Sequence, residues 1–177
     1  QIILDLLDFS RVGRINESLI TFPLSGIIEE VKILQRTLLE NQKGKIITHD
    51  LPVLTSYRSP ILQIFQNLIS NGLKYSREGV APVVEIFCVD QGDYWKFEIK
   101  DNGIGMEAES FDKIFVIFQR LHTQEKYSGS GIGLAIVKKI VNNLGGKIWV
   151  ESSLGQGTSF FFTLPKNSKR NAEDFIG

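Results

Sequence analysis

DNGIGM, residues 101–106, and GSGIGLAIV, residues 129–137, decide how this chain is read. Each sets glycines at alternate positions beside an aliphatic residue. The first follows a β-patterned run, YWKFEIK (94–100), so Asp101 falls where a strand ends. Gly103 and Gly105 there let the chain turn and let a flat ligand approach the backbone. A carboxylate buried at that point accepts a hydrogen bond from an exocyclic amine such as that of adenine. An Asp-Asn-Gly turn with no ligand is the alternative reading. The second stretch opens a helix, with Gly129, Gly131 and Gly133 ahead of LAIVKKIV. Unhindered N–H groups at a helix N-terminus form an anion site, assisted by the helix dipole. The spacing is neither the GxGxxG of dinucleotide folds nor a Walker loop, since no GK[ST] follows.

Upstream, SPILQIFQNLISNGLKYS (59–76) reads as a helix with Pro60 at its first position. Ile61, Phe65, Leu68, Ile69 and Gly72 gather on one side. Asn67, Asn71 and Lys74 recur at i, i+4 and i+7 on the other. A solvated face is one reading of that stripe. Asparagine, however, is a poor helix former, because its amide competes for backbone partners. Two asparagines one turn apart and then a lysine offer carbonyl oxygens to a hard cation and an ammonium to phosphate.

The remaining elements frame these motifs. FPLSGIIEEVKILQRTLLENQKGK (22–45) has helix spacing, with Ile27, Val31, Leu34 and Leu38 on one stripe, Ser25 as N-cap and Gly44 as stop. RINESLI (14–20) reads as a linker and KIITHDLPVL (45–54) as extended. PVVEIFCVD (82–90) and YWKFEIK form a hairpin across QGD, and KIWVESS (147–153) and TSFFFTLP (158–165) another around LGQG. FDKIFVIFQRL (111–121) reads as helical, GIGLAIVKKIVNNLGG as a helix ending at Gly145, and HTQEKYSGS (122–130) as a polar loop. Hairpins recur without a regular βαβ rhythm. The expected fold is therefore an α/β sandwich with one mixed, mostly antiparallel sheet against helices.

Composition narrows the class. The chain has 177 residues, about one domain, with 20 basic and 20 acidic residues and a net charge of zero. That balance argues against nucleic acid as a partner. One cysteine, Cys88, excludes an internal disulfide. No apolar run approaches the roughly 18 residues of a membrane span. QIILDLLDFS opens the chain without an initiator Met and reads as a piece cut from a longer protein. Residues 1–12 read as an apolar helix, packed on a partner helix across a dimer or on the domain's own core.

The four motifs in this order resemble the catalytic, ATP-binding domain of sensor histidine kinases. These are members of the gyrase, chaperone, histidine kinase and mismatch-repair ATPase superfamily, with its two-layer Bergerat-type fold. NLISNGLKYS (67–76) resembles the family's N box, DNGIGM its first G box, FDKIFVIFQRL its F box and GSGIGLAIV its second G box. GGKIWVESSLGQGTSFFFTLP (145–165) resembles its closing hairpin, and LLDFSRVGR (6–14) the end of its dimerisation domain. The resemblance implies residues 1–14 as the end of a phosphoacceptor hairpin, 15–166 as the catalytic domain and 167–177 as a polar tail.

The resemblance also implies roles. ATP and Mg²⁺ are the expected ligands. Asn71 holds the metal, Asn67 assists there or at the phosphates, and Lys74 neutralises phosphate charge. Asp101 reads the adenine amine, Gly103 and Gly105 shape the base wall, and Tyr75 packs beside the nucleotide or in the core. Gly129, Gly131 and Gly133, with Leu134, face the phosphates. Arg120 and Lys126 are lid cations that reach the γ-phosphate or lie exposed, and Phe115 and Phe118 anchor the lid. The partners implied are the phosphoacceptor and dimerisation domain of the same protein, a second copy in a homodimer, and a response-regulator receiver domain. The location implied is cytoplasmic, with or without a membrane anchor elsewhere. His49 and His122 are the only histidines, and neither lies on an acceptor helix, so the fragment alone is not expected to phosphorylate itself. In the superfamily's hydrolases a Glu stands where Asn67 stands here, which separates a kinase from an ATPase clamp. The intact boxes count against a degenerate interaction module. One departure is Gly72, where the family usually has Ala; a helical glycine costs about 1 kcal/mol.

Overall fold

A computed structural model describes residues 17–118 and 131–166. In chain order these form β1 (Ile20–Pro23), α1 (Leu24–Leu34), α2 (Arg36–Gln42), β2 (Lys45–Thr48), β3 (Val53–Ser56) and α3 (Arg58–Lys74). Then follow β4 (Val83–Asp90), β5 (Tyr94–Asp101), α4 (Gly133–Asn143), β6 (Ile148–Ser153) and β7 (Gly157–Pro165). One sheet has the order β2-β4-β5-β7-β6, with only β2 and β4 parallel; β1 and β3 make a separate antiparallel pair. Alternation along β4, β5 and β7 turns Val84, Ile86, Phe97, Ile99, Phe160 and Phe162 inward; α3 and α4 cover that face, and α1 packs against α3. The expected two-layer fold with a mostly antiparallel sheet is the fold observed.

Helix α3 is the centre of the helical layer. Ile61, Ile64, Phe65, Leu68, Ile69 and Leu73 are all essentially inaccessible. The Phe65 ring meets Phe97 and Phe162 edge-on, at 5.7 and 5.6 Å between centroids, while Phe97 and Phe162 stack at 4.9 Å. Each such side chain contributes about 1.5–3 kcal/mol of burial, which fixes the rotation of α3 about its axis. The Asn67, Asn71 and Lys74 stripe is thereby turned away from the core.

Several local expectations are corrected. Ser25 does not cap α1: the chain enters from extended Pro23, and the Leu24 N–H is satisfied by Pro52 O at 3.0 Å across the β1–β3 pair. The long helix is divided at Gln35. Leu34, expected on the apolar stripe, is 53% exposed; the buried stripe is Leu24, Ile27, Ile28 and Val31, and Leu38 packs partly after the bend. The left-handed closing position falls on Lys43 (φ 53) and not on Gly44. Pro60 is the third residue of α3, which begins at Arg58. KIITHDLPVL is not one extended run but supplies β2 to the five-stranded sheet and the start of β3 to the β1–β3 pair, and RINESLI ends on Ile20, the first residue of β1. The described part of FDKIFVIFQRL forms a single 3-10 turn, Lys113–Phe115, not an α-helix. Its β-branched and aromatic residues give weak helix propensity over too short a run to nucleate one.

Gly72 is where α3 comes nearest to the sheet. A Cβ there would lie 2.8 Å from Val84 Cγ2 and 3.1 Å from Asp101 Cβ. The glycine therefore serves close packing, against the expectation that it merely loosens the helix. Ala gains about 1 kcal/mol of helix propensity but overpacks a buried contact at about 1–3 kcal/mol. Gly72→Ala is expected to lower stability by roughly 1 kcal/mol net, seen as a lower midpoint in urea unfolding.

Candidate active site

The site is assembled between α3, the end of β5 and the start of α4. Asp101 closes β5, and its Oδ1 accepts hydrogen bonds from the Gly103 N–H at 2.8 Å and the Thr158 N–H at 3.1 Å. Among the described residues Oδ2 has no hydrogen-bond partner, and it lies beside Gly72 of α3. The turn that follows is tightly enclosed. A Cβ on Gly103 would sit 2.3 Å from Tyr75 O, and Gly105 has φ 65 with its missing Cβ 2.0 Å from Ser153 O. No other residue fits that close approach and that backbone conformation. The Ile104 N–H donates to Tyr75 O at 2.9 Å, and the Met106 N–H to Ser152 Oγ at 2.9 Å.

Burial pushes the Asp101 carboxyl up from 3.8 to about 6, against the lowering effect of its two backbone donors. The folded protein thus binds this proton more tightly than the unfolded chain. The resulting stabilisation is present in full below 3.8 and is lost as pH rises through about 6. Urea unfolding from pH 4 to 7 is expected to show the wild type losing stability relative to Asp101→Asn across that window. A pH-independent difference between the two would contradict the shift.

The polar stripe of α3 faces the other end of the site. Asn67 Nδ2 donates to Gln63 O at 2.8 Å, which fixes the amide, and a Cβ on Gly133 would be 2.7 Å from Asn67 Oδ1. The glycine thus lets the N-terminus of α4 come up against the asparagine. Asn71 follows one turn later, half-buried, and among the described residues its amide has no hydrogen-bond partner. Lys74 donates to Tyr75 Oη at 3.3 Å and lies 4.7 Å from that ring's centre. Gly131 (φ 75) leads into α4, where Leu134 packs partly against the core.

The structure therefore brings together Asn67, Asn71, Lys74, Tyr75, Asp101, Gly103, Gly105, Gly131, Gly133 and Leu134. Arg120, Lys126, Gly129 and His122 lie outside the described residues, as do the segments 1–14 and 167–177 assigned to flanking regions. Phe115 packs against the core and meets Phe160 edge-on at 6.4 Å. Phe118, expected to anchor beside it, is 53% exposed. His49 follows β2, bonded through Nε2 to Glu85 Oε2 at 3.3 Å and stacked on Phe87, on the sheet face away from the helices.

Thr158 was not legible as a site residue. Its N–H holds Asp101, and its hydroxyl shares a hydrogen bond with Ser152 Oγ at 3.0 Å. The only sequence signal was the Gly-Thr pair opening TSFFFTLP.

The chemistry of the donor set suits a hard cation that keeps most of its ligands from water and phosphate. The stripe supplies neutral carbonyl oxygens, and the described residues contain no group of three or more His, Cys, Asp or Glu placed to hold a metal alone. No helix among the described residues is long and apolar enough to cross a membrane.

Residues 57–168, which contain the whole site, match the family model described as histidine kinase-, DNA gyrase B- and HSP90-like ATPase. Cyanobacterial phytochrome A of Nostoc sp. is 42% identical over 164 residues, covering 91% of this chain and 21% of the phytochrome. The chain spans about a fifth of the length of the cyanobacterial phytochromes it matches. Among solved structures, full-length ShkA in complex with AMPPNP is similar with a TM-score of 0.74 at 27% identity, covering 93% of this chain and 35% of ShkA. The nucleotide-free catalytic domain of histidine kinase ThkA is similar with a TM-score of 0.73 at 26% identity, covering 88% of this chain and all of that domain.

Proposed function

Because the chain belongs to the histidine kinase-, DNA gyrase B- and HSP90-like ATPase family, we propose that it binds MgATP as the catalytic domain of a two-component sensor histidine kinase. In that role it transfers the γ-phosphoryl group to a histidine on a phosphoacceptor and dimerisation domain of the same protein. The observation that carries the reading is the Asp101 carboxylate. Gly103 and Thr158 hold its Oδ1, while Oδ2 is left beside Gly72 of α3, the helix whose Asn67, Asn71 and Lys74 stripe faces the other end of the site.

In this reading Asp101 Oδ2 accepts the exocyclic amine of adenine, and Tyr75, Gly103 and Gly105 form the wall beside the base. Asn71, with Asn67 assisting, is the set that would hold Mg²⁺, which supplies neutralisation of the phosphate oxygens. Lys74 leaves its weak hydrogen bond to Tyr75 to add a further positive charge. Gly131, Gly133 and Leu134 place the start of α4 where backbone N–H groups face phosphate; Gly129 and Arg120, outside the described residues, belong to the same assignment by sequence alone. Phosphoryl transfer asks mainly for such positioning and charge neutralisation.

A clamp-type ATPase is the competing reading. It needs a proton acceptor for water where this chain has Asn67. An amide takes no proton, and its Nδ2 is committed to Gln63 O. The protein's wider setting follows the same proposal: a cytoplasmic domain, a homodimer through the helical hairpin, and a receiver domain as the next phosphoryl acceptor. Calorimetric titration with ATP, with and without Mg²⁺, tests the ligand; one saturable site strengthened by Mg²⁺ is expected. Joining the chain to an upstream histidine-bearing helix should yield acid-labile phosphohistidine. Absence of ATP binding at millimolar concentration, in a folded sample, would overturn the proposal.

A further inference from the structure

Arg77 belongs to none of the motifs, yet it bridges two turns that enclose the base-reading carboxylate. Its Nε donates to Asn102 O at 2.9 Å and its Nη1 to Gly155 O at 3.1 Å. The first carbonyl lies in the turn after β5, immediately after Asp101. The second lies in the β6–β7 turn. These turns are also joined directly, through the Gly155 N–H to Ile104 O at 2.7 Å. The segment that carries Arg77 leaves α3 through Tyr75, whose carbonyl accepts the Ile104 N–H at 2.9 Å. The Asn102 side chain ties the same turn to the start of β4, accepting from the Val83 N–H at 2.9 Å and donating to Ala81 O at 3.1 Å.

We propose that Arg77 is a positioning residue for nucleotide recognition: its guanidinium clasps the 101–105 turn to the β6–β7 turn and so sets the direction of Asp101 Oδ2. The inference rests on the reading of Asp101 as the adenine acceptor. A planar guanidinium suits the task, since its rigid fork sends two donors to two separate carbonyls, whereas an ammonium is a single point on a flexible stem. Both turns are glycine-containing. The Oδ1 anchor alone leaves the carboxylate free to rotate about that oxygen. Fixing the Asn102 carbonyl removes the neighbouring backbone freedom through which such a rotation occurs. The geometry also joins the α3 side of the site to its base side, because Arg77 lies three residues after Lys74.

The test compares Arg77→Met, which keeps the stem and removes the donors, with Arg77→Lys and Asp101→Asn. ATP and GTP affinities are measured by calorimetry, and amide exchange is followed along β5 and the turn after it. Arg77→Met is expected to weaken ATP roughly five- to twentyfold with little change for GTP, in line with loss of hydrogen bonds from a charged donor. The Gly103 and Ile104 amides should exchange faster while those pairing β4 with β5 keep their protection. Arg77→Lys should restore part of the ATP preference. An Arg77→Met protein that keeps both the ATP-to-GTP ratio and the Gly103 protection overturns the inference, as does one that is uniformly destabilised with the ratio intact. If Asp101→Asn abolishes the preference while Arg77→Met retains it, the clasp alone is wrong. If Asp101→Asn also leaves it unchanged, the adenine assignment fails and the clasp with it.

Discussion

Asp101→Asn is expected to weaken ATP binding by about ten- to a hundredfold and to move the preference from ATP toward GTP. A hydrogen bond to a charged group contributes about 1.5–3 kcal/mol, and each 1.4 kcal/mol is a factor of ten. The geometry makes this near-isosteric change unusually informative. Two backbone donors, Gly103 N–H and Thr158 N–H, converge on Oδ1, at 2.8 and 3.1 Å. They admit only an acceptor at that position. The amide of an Asn must therefore place its oxygen there and its NH₂ where Oδ2 stood. A donor then faces the adenine amine, another donor, and the pair repels. Guanine carries a carbonyl at the corresponding position and meets the new NH₂ favourably. The measurement is a pair of calorimetric titrations, ATP and GTP, on both proteins. An unaltered ratio would remove adenine recognition from Asp101. Adenosine affinity supplies a companion readout: in the wild type it should strengthen as pH rises through about 6 and the carboxyl ionises, and in the variant it should not.

Much of this site was legible because its residues are locally patterned. The α3 stripe shows itself through helical spacing, and the burial of Ile61, Phe65, Leu68 and Ile69 confirms which face is which. Both hairpins announce themselves by alternation and by glycine turns. What escaped the sequence depends on distant partners. Thr158 stands 57 positions from Asp101, and nothing about a threonine in a strand says that its N–H will hold a carboxylate. Arg77 looks like a solvated charge until its two carbonyl partners are brought beside it by the fold. KIITHDLPVL was read as one extended run because its break is a single strained residue. Asp50 adopts φ 41 and, with Pro52 close behind, redirects the chain from the five-stranded sheet to the β1–β3 pair.

Asn71→Ala is expected to abolish the strengthening of ATP binding by Mg²⁺, a loss on the order of tenfold or more if one oxygen ligand is removed. The argument starts from the division of labour on α3. Asn67 is committed, its Nδ2 to Gln63 O and its oxygen to the face that meets Gly133. Asn71, a turn further along, has no such commitment among the described residues, so its carbonyl oxygen is available to a cation at no cost in broken hydrogen bonds. Mg²⁺ binds through few protein ligands when substrate phosphates supply the others, and removal of one of few is felt strongly. Asn71→Asp separates the loss of an oxygen from the change of charge. It keeps a ligand oxygen and should keep the Mg²⁺ response, while ATP alone binds more weakly because a carboxylate now faces the triphosphate. Titrations of ATP across a series of Mg²⁺ concentrations distinguish the variants. A Mg²⁺ response that survives in Asn71→Ala would transfer the metal role to Asn67, whose Oδ1 can ligate while its Nδ2 stays bonded to Gln63 O.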